Sequence, residues 1–164
     1  MSRGFVKESD QEEAPIIPPR AALPEGQINY VTPKGLDMLE NEKTELQQSR
    51  SELNVDDDTE RRRALTVIDG KLKLLQDRLN SAQLIQPKDQ PQDEVRFGAK
   101  VTFRMNANKQ EFQIVGVDEA DVKQKKIAFT SPIAKSMTGH KVGNSFEFSL
   151  GTETKSIEIL AIEY

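Results

Sequence analysis

The chain contains no cysteine, no tryptophan and a single histidine. Without cysteine there are no disulfide scaffolds, no thiolate zinc sites and no cysteine nucleophiles. One histidine, His140, excludes multi-histidine metal sites and would leave a Ser-His-Asp triad dependent on that residue alone. Aromatic side chains make up 5% of the 164 residues and hydrophobic ones 35%, against 30% charged and a mean hydropathy of −0.64. That is too little apolar material for one large core, so a long solvated element or an unstructured segment must dilute it. No apolar run approaches the ~18 residues a membrane span requires. The N-terminus shows no apolar core of a signal peptide, so a soluble, cytoplasmic chain without membrane contact is expected. A net charge of −4 argues against a protein that coats free nucleic acid by itself.

What is present falls into zones. Residues 1–29 read as a flexible proline-rich leader: four of the eight prolines lie between Pro15 and Pro24, where they disfavour helix and central strand. A docking peptide anchored by Phe5 or by Ile16 and Ile17 is the alternative for this segment. Residues 30–85 read as an antiparallel helical hairpin, a short coiled coil. Thr32-Pro33 is a helix start, with Thr as N-cap and Pro at the first helical position. Leu39, Leu46 and Leu53 then recur every seven residues. On the second arm Leu65, Ile68, Leu72, Leu75, Leu79 and Ala82 follow a 3-4-3-4-3 spacing, a heptad seam. The turn between them is Asn54–Thr59, rich in capping residues. So narrow a seam is marginal alone, and something at its base must hold it.

Residues 86–94 are a polar linker. In residues 95–164 the period changes to two. Val95, Phe97, Ala99, Val101 and Phe103 alternate with polar residues as a half-buried strand. Phe112 to Val117, Ile127–Phe129, Phe146 with Phe148, and Ile157, Ile159 and Ala161 give four more. Ser131–Met137 predicts a short helix with Pro132 at its start. Six of the seven phenylalanines fall in this region and read as core. The expectation is an α+β chain whose C-terminal domain is a small antiparallel sheet wrapped on a short helix.

These residues carry a resemblance. Asn29–Leu36 (NYVTPKGL), the hairpin and Asn80–Ile85 (NSAQLI) resemble the N-terminal coiled coil of bacterial Gre transcript-cleavage factors. The resemblance strengthens in Val95–Val101 (VRFGAKV), Phe112–Gly116 (FQIVG) and above all Ser131–Met137 (SPIAKSM) followed by Gly139–Gly143 (GHKVG). It covers about residues 30–164 and implies an FKBP-like C-terminal domain. It also implies RNA polymerase as partner, docking at the rim of the polymerase secondary channel and a coil that passes down that channel. The factor would modulate elongation without being an enzyme itself, any RNA cleavage being performed by the polymerase. Two acidic residues at the coil tip, spaced Asp-x-x-Glu, would help hold a catalytic Mg²⁺ shared with the polymerase, with no preformed metal site on the factor. Nascent RNA or DNA would be met only inside the transcription complex, and a monomer is expected. The hairpin departs from the family norm by about one heptad per arm, about 10 Å at helical rise. The leader has no counterpart in the resemblance.

The acidic pair falls on Asp57 and Glu60. The same spacing is also a capping box, with carboxylates in the first helical turn favoured by the helix dipole. Residues 56–63 hold four acids and three arginines, net −1, and arginines beside carboxylates compete with a cation for them. Arg61, Arg62 and Arg63 are candidates for channel or RNA contact, or else a solvated face. Ser131, Pro132 and Ile133 are candidates for polymerase docking, with Ile133 equally suited to the core. His140 reads as a surface-turn residue. Proline isomerisation rests on fold analogy alone, which does not imply activity. A non-cleaving channel binder and a coiled-coil adaptor using the Leu65–Ala82 seam remain as alternatives.

Overall fold

A computed structural model describes residues 14–164. After an extended stretch the chain forms a short strand β1 (Asn29–Val31), helix α1 (Pro33–Ser51), helix α2 (Asp58–Ser81) and strand β2 (Ala82–Leu84). The C-terminal domain follows as β3 (Lys100–Met105), β4 (Asn108–Val115), β5 (Lys126–Ala128), helix α3 (Pro132–Met137), β6 (Ser145–Leu150) and β7 (Glu153–Glu163). No described helix is long and apolar enough to cross a membrane.

The hairpin starts as its sequence demands. Thr32 sits in extended geometry before Pro33, and its hydroxyl accepts the Gly35 N–H at 2.9 Å, satisfying one of the orphan donors of the first turn. The arms are shorter than the leucine spacing suggests. α1 ends at Ser51, so Leu53 lies in the turn, and α2 ends at Ser81, where Ala82 takes extended geometry and opens β2. Of the seam, only Leu39 and Leu75 are fully buried, both near the base. The outer half is stitched by polar contacts such as Arg50 Nε to Asp69 Oδ1 at 2.7 Å. β1 and β2 pair in parallel, Tyr30 opposite Gln83, and close the base of the hairpin. The side-chain amide of Asn29 in β1 donates to the Arg78 carbonyl at 3.0 Å, capping an orphan carbonyl at the end of α2.

The C-terminal sheet has the order β5-β4-β3-β7-β6. Four strands are antiparallel as expected, while β5 runs parallel to β4, Ile114 opposite Ile127. Residues 116–125 form a crossover rather than a hairpin and so return the chain in the same direction. The strand expected from Val95 begins only at Lys100. The preceding residues turn, with the Ala99 N–H bonded to the Arg96 carbonyl at 3.0 Å, although Val95 and Ala99 are buried as the alternation predicts. Phe103, Ile114, Ile157, Ile159 and Met137 of α3 make the centre of the core. Tyr164 fastens the linker to it: its hydroxyl donates to the Glu94 carbonyl at 2.6 Å and accepts the Arg96 N–H at 2.7 Å. Burial pushes that hydroxyl's pKa above its ordinary value, against the stabilising Arg96 bond.

The two parts meet at the crossover. Glu119 is 5% exposed; it accepts the Thr32 hydroxyl and pairs with Lys126 Nζ at 3.2 Å. Next to it, Asp118 accepts Arg78 of α2 and Arg20 of the leader, each at 3.0 Å. Gly116 lets the sheet approach the hairpin base, since a Cβ there would stand 2.5 Å from the Tyr30 carbonyl oxygen. The ring of Tyr30 completes the joint against Phe97 and Phe129, with centroids 5.6 and 5.5 Å away.

The leader departs from a flexible tail in its second half, which lies along the hairpin from Ile17 and is tied down by Arg20. Phe5 lies outside the described residues. Ile16 is 86% exposed, while its neighbour Ile17 packs on Gly70. Leu75→Ala is expected to destabilise the chain by about 2–5 kcal/mol in urea titration, because a fully buried leucine leaves a cavity at the hairpin base. The Arg50 hydrogen bond holds the Asp69 carboxyl below its ordinary pKa, outweighing a slight burial effect. Its contribution is therefore present above the unfolded carboxylate pKa and lost as pH falls through the folded one. Arg50→Gln should flatten the loss of hairpin helicity as pH falls from the unfolded carboxylate pKa through the folded one, in an acid titration followed by circular dichroism.

Candidate interaction site: the hairpin tip and the short helix

The apex of the hairpin is built by capping chemistry. Asp57 stands in extended geometry immediately before α2, and its Oδ2 accepts the Glu60 N–H at 2.9 Å. Asp58 and Glu60 occupy the first turn, where carboxylates meet the positive end of the helix dipole. Asp58 pairs with Arg61, and Arg61 also reaches back to the Val55 carbonyl at 3.2 Å. These bonds fold the turn onto the start of α2. The Asp57–Glu60 pair is thus brought to the exposed tip as the spacing implies, with one oxygen of Asp57 already engaged by the backbone.

The three arginines separate. Arg61 is part of the turn, Arg63 is half-buried, and Arg62 is the exposed one, its Nε near the Asp58 carbonyl at 3.4 Å. Arg62 is therefore the arginine of the three that faces outward at the tip.

Mg²⁺ takes hard oxygen ligands in a near-octahedral set and keeps several waters. Among the described residues no three His, Asp or Glu side chains are grouped to hold a metal. At the tip, Asp57 caps the helix and Asp58 is tied to an arginine. The tip as folded does not fit a resident Mg²⁺.

The second candidate surface is α3. Ser131 is its N-cap, its hydroxyl accepting the Ala134 N–H at 3.3 Å. Pro132 is exposed, whereas Ile133 packs against the core that holds Ala134 and Met137. The apolar knob expected from Pro132 and Ile133 reduces on the surface to Pro132. This helix belongs to the sheet domain, packed on its core, whereas Asp57 and Glu60 stand at the turn between the two hairpin helices. His140 is half-buried rather than loose in its turn. Its ring stacks on Phe146 at 4.1 Å with an interplanar angle of 13°, and its carbonyl accepts the Val95 N–H at 2.9 Å.

The charged residues at the joint (Arg20, Arg78, Asp118, Glu119 and Lys126) carry no signal in the sequence that would join them. The one local signal among them is a pair of adjacent acids beside Gly116 in a segment otherwise following a strand pattern.

Residues 90–164 match the family described as "Transcription elongation factor, GreA/GreB, C-term". The chain is similar to proteins named "Transcription elongation factor GreA" from Trichlorobacter lovleyi, 39% identical over 99 residues, and from Maricaulis maris, 41% identical over 99 residues. Each match covers 59% of this chain and 63% of the relative, so the chain spans under two thirds of the length of the curated relatives it matches. Among solved structures, GreA factor homolog 1 (Gfh1) of Thermus thermophilus is 20% identical with a TM-score of 0.39, covering 84% of this chain and 100% of that one. A GreA/GreB factor from Nitrosomonas europaea is 18% identical with a TM-score of 0.40, covering 84% and 99%.

The capping geometry separates charge from hydrogen bonding at Asp57. Asp57→Ala should expose the Glu60 amide to faster hydrogen exchange and cost about 1 kcal/mol of α2 stability, while Asp57→Asn, an equally good cap, should leave both near the unaltered values.

Proposed function

We propose, from the match of residues 90–164 to the GreA/GreB transcription elongation factor family, that this chain is an accessory factor of RNA polymerase that modulates elongation. The C-terminal domain docks at the rim of the secondary channel, and the hairpin enters it. The observation that carries this reading is the bonded seat of the hairpin on that domain. Thr32, the cap of α1, and Arg78 of α2 are both bonded to the consecutive acids Glu119 and Asp118. A domain that binds a rim therefore also aims a rod, α2 alone being about 36 Å long at 1.5 Å per residue.

At the tip the geometry favours a channel occupant over a metal donor. Asp57 caps α2, Asp58 is tied to Arg61, and Arg62 faces outward. Such a tip offers the channel a folded cap and a cation for phosphate rather than a pair of unengaged carboxylates. Any bond breaking in RNA would be the polymerase's chemistry.

Two measurements test this. Core polymerase of the source organism should retain the chain, and deletion of residues 95–164 should abolish retention; no retention of the full chain overturns the reading. On a backtracked complex, the unaltered chain and the Asp57→Ala, Glu60→Ala double variant should behave alike, neither stimulating cleavage. Cleavage by the unaltered chain that the double variant loses would replace the occupant reading with metal assistance.

A further inference from the structure

We infer that residues 17–21 of the leader form a strap that fixes the direction of the hairpin on the C-terminal domain, with Arg20 as its positioning residue. The inference rests on the reading of the hairpin as a rod that must be aimed, and it comes from contacts that join three parts of the molecule through one side chain. Arg20 Nε bonds Asp118 Oδ1 in the crossover at 3.0 Å, while its two terminal nitrogens bond the Glu42 carboxylate of α1 at 2.5 and 3.2 Å. One planar fork thus spans a hairpin arm and the sheet domain, which a point-charge ammonium cannot do. Burial acts against the charge of Arg20, and the two carboxylates outweigh it, raising its pKa above the ordinary value. The other arm joins the same node: Arg78 of α2 bonds Asp118 Oδ2 at 3.0 Å and the backbone carbonyl of Ala21 in the leader.

A second observation, independent of charge, shows a seat made for the segment. Gly70 lies in the middle of α2, where glycine costs about 1 kcal/mol relative to alanine. The place a Cβ would take is filled by Ile17, whose Cδ1 and Cγ1 would stand 2.1 and 2.8 Å from it. The leader is therefore pinned at Ile17 on the middle of α2 and at Arg20 on the joint, with Pro18 and Pro19 between them stiffening the connection. Removing either pin leaves the buried Glu119 bonds in place but frees the rod to swing about them.

The experiment reads the angle directly in the full chain. The absence of native cysteine lets spin labels be placed at Asp56→Cys on the tip and Thr152→Cys on the sheet domain, and the distance distribution between them be measured by electron paramagnetic resonance. Arg20→Ala should widen that distribution about twofold or more. Gly70→Leu, which touches no charge and fills the seat of Ile17, should widen it as well. Arg20→Lys should fall between Arg20→Ala and the unaltered chain. Unchanged distributions for Arg20→Ala and Gly70→Leu would overturn the strap. Widening accompanied by loss of helical circular dichroism would overturn it too, since the segment would then stabilise the hairpin without aiming it. The distance is read on the free chain, so failure of polymerase retention by the unaltered chain overturns the functional reading alone, and an unchanged distance overturns the strap alone.

Discussion

Two adjacent carboxylates, Asp118 and Glu119, carry the connection on which the shape of this molecule depends. Glu119 is withdrawn from water and would be destabilising there without partners, since a buried unpaired charge costs several kcal/mol. It has two, the Thr32 hydroxyl and the Lys126 ammonium. The Thr32 bond matters beyond its own energy. The same oxygen accepts the Gly35 N–H, so the cap that starts α1 and the contact that seats the hairpin are one atom. Buried ionic groups of this kind contribute little net stability against a well-packed apolar alternative, and what they supply here is direction. A greasy contact between hairpin and sheet tolerates sliding, whereas hydroxyl, carboxylate and ammonium within bonding distance specify one arrangement.

Direction matters because the hairpin is slender. Its buried leucines are confined to the base, and beyond them the arms are held by partly buried side chains and solvent-screened ion pairs such as Arg50–Asp69, which hold an arm only weakly. A rod about 36 Å long converts a rotation of about 10° at the joint into about 6 Å at the tip. The joint is accordingly reinforced from several sides: the Tyr30–Phe97–Phe129 ring cluster, the parallel β1–β2 pair and the ion-pair node around Asp118. None of these would be needed to keep the C-terminal core folded, which has its own buried centre of Phe103, Ile114, Ile157 and Ile159.

What could be read from the sequence follows from the range of the interactions. Thr32-Pro33, Asp57 and Ser131-Pro132 are local signals, and each caps a helix as its spacing implies. Alternation marked Val101, Phe103, Ile157 and Ile159 as buried because strand period is also local. Arg20 and Asp118 are 98 residues apart, and no period connects them. In a chain that is 30% charged, the pair looks like any other surface charge. The parallel β5 and the early ends of the helical arms were illegible for a related reason. Strand direction is decided by the path of the crossover, and Ala82 satisfies a heptad and a strand equally well. Gly70 lies in the middle of α2, and only the folded chain shows that the place of its missing side chain is taken by Ile17 from the leader.

The tip shows how a local folding requirement can occupy a group that a functional motif would claim. An Asp-x-x-Glu spacing at a helix start places the first carboxylate on the N–H of the third residue whether or not a metal is ever bound. At Asp57 that bond is made, and the turn before it is closed by Arg61 reaching both Asp58 and the Val55 carbonyl. A cation approaching this apex must displace a backbone hydrogen bond at Asp57 and compete with a guanidinium at Asp58, two costs that an unengaged carboxylate pair would not impose. Exposed Arg62 adds positive charge on the same turn. The sum is a tip stabilised as a helix end, whose outward chemistry is that of an arginine beside a capped turn, and whose position is decided far away, at the joint where Asp118 and Glu119 hold the rod.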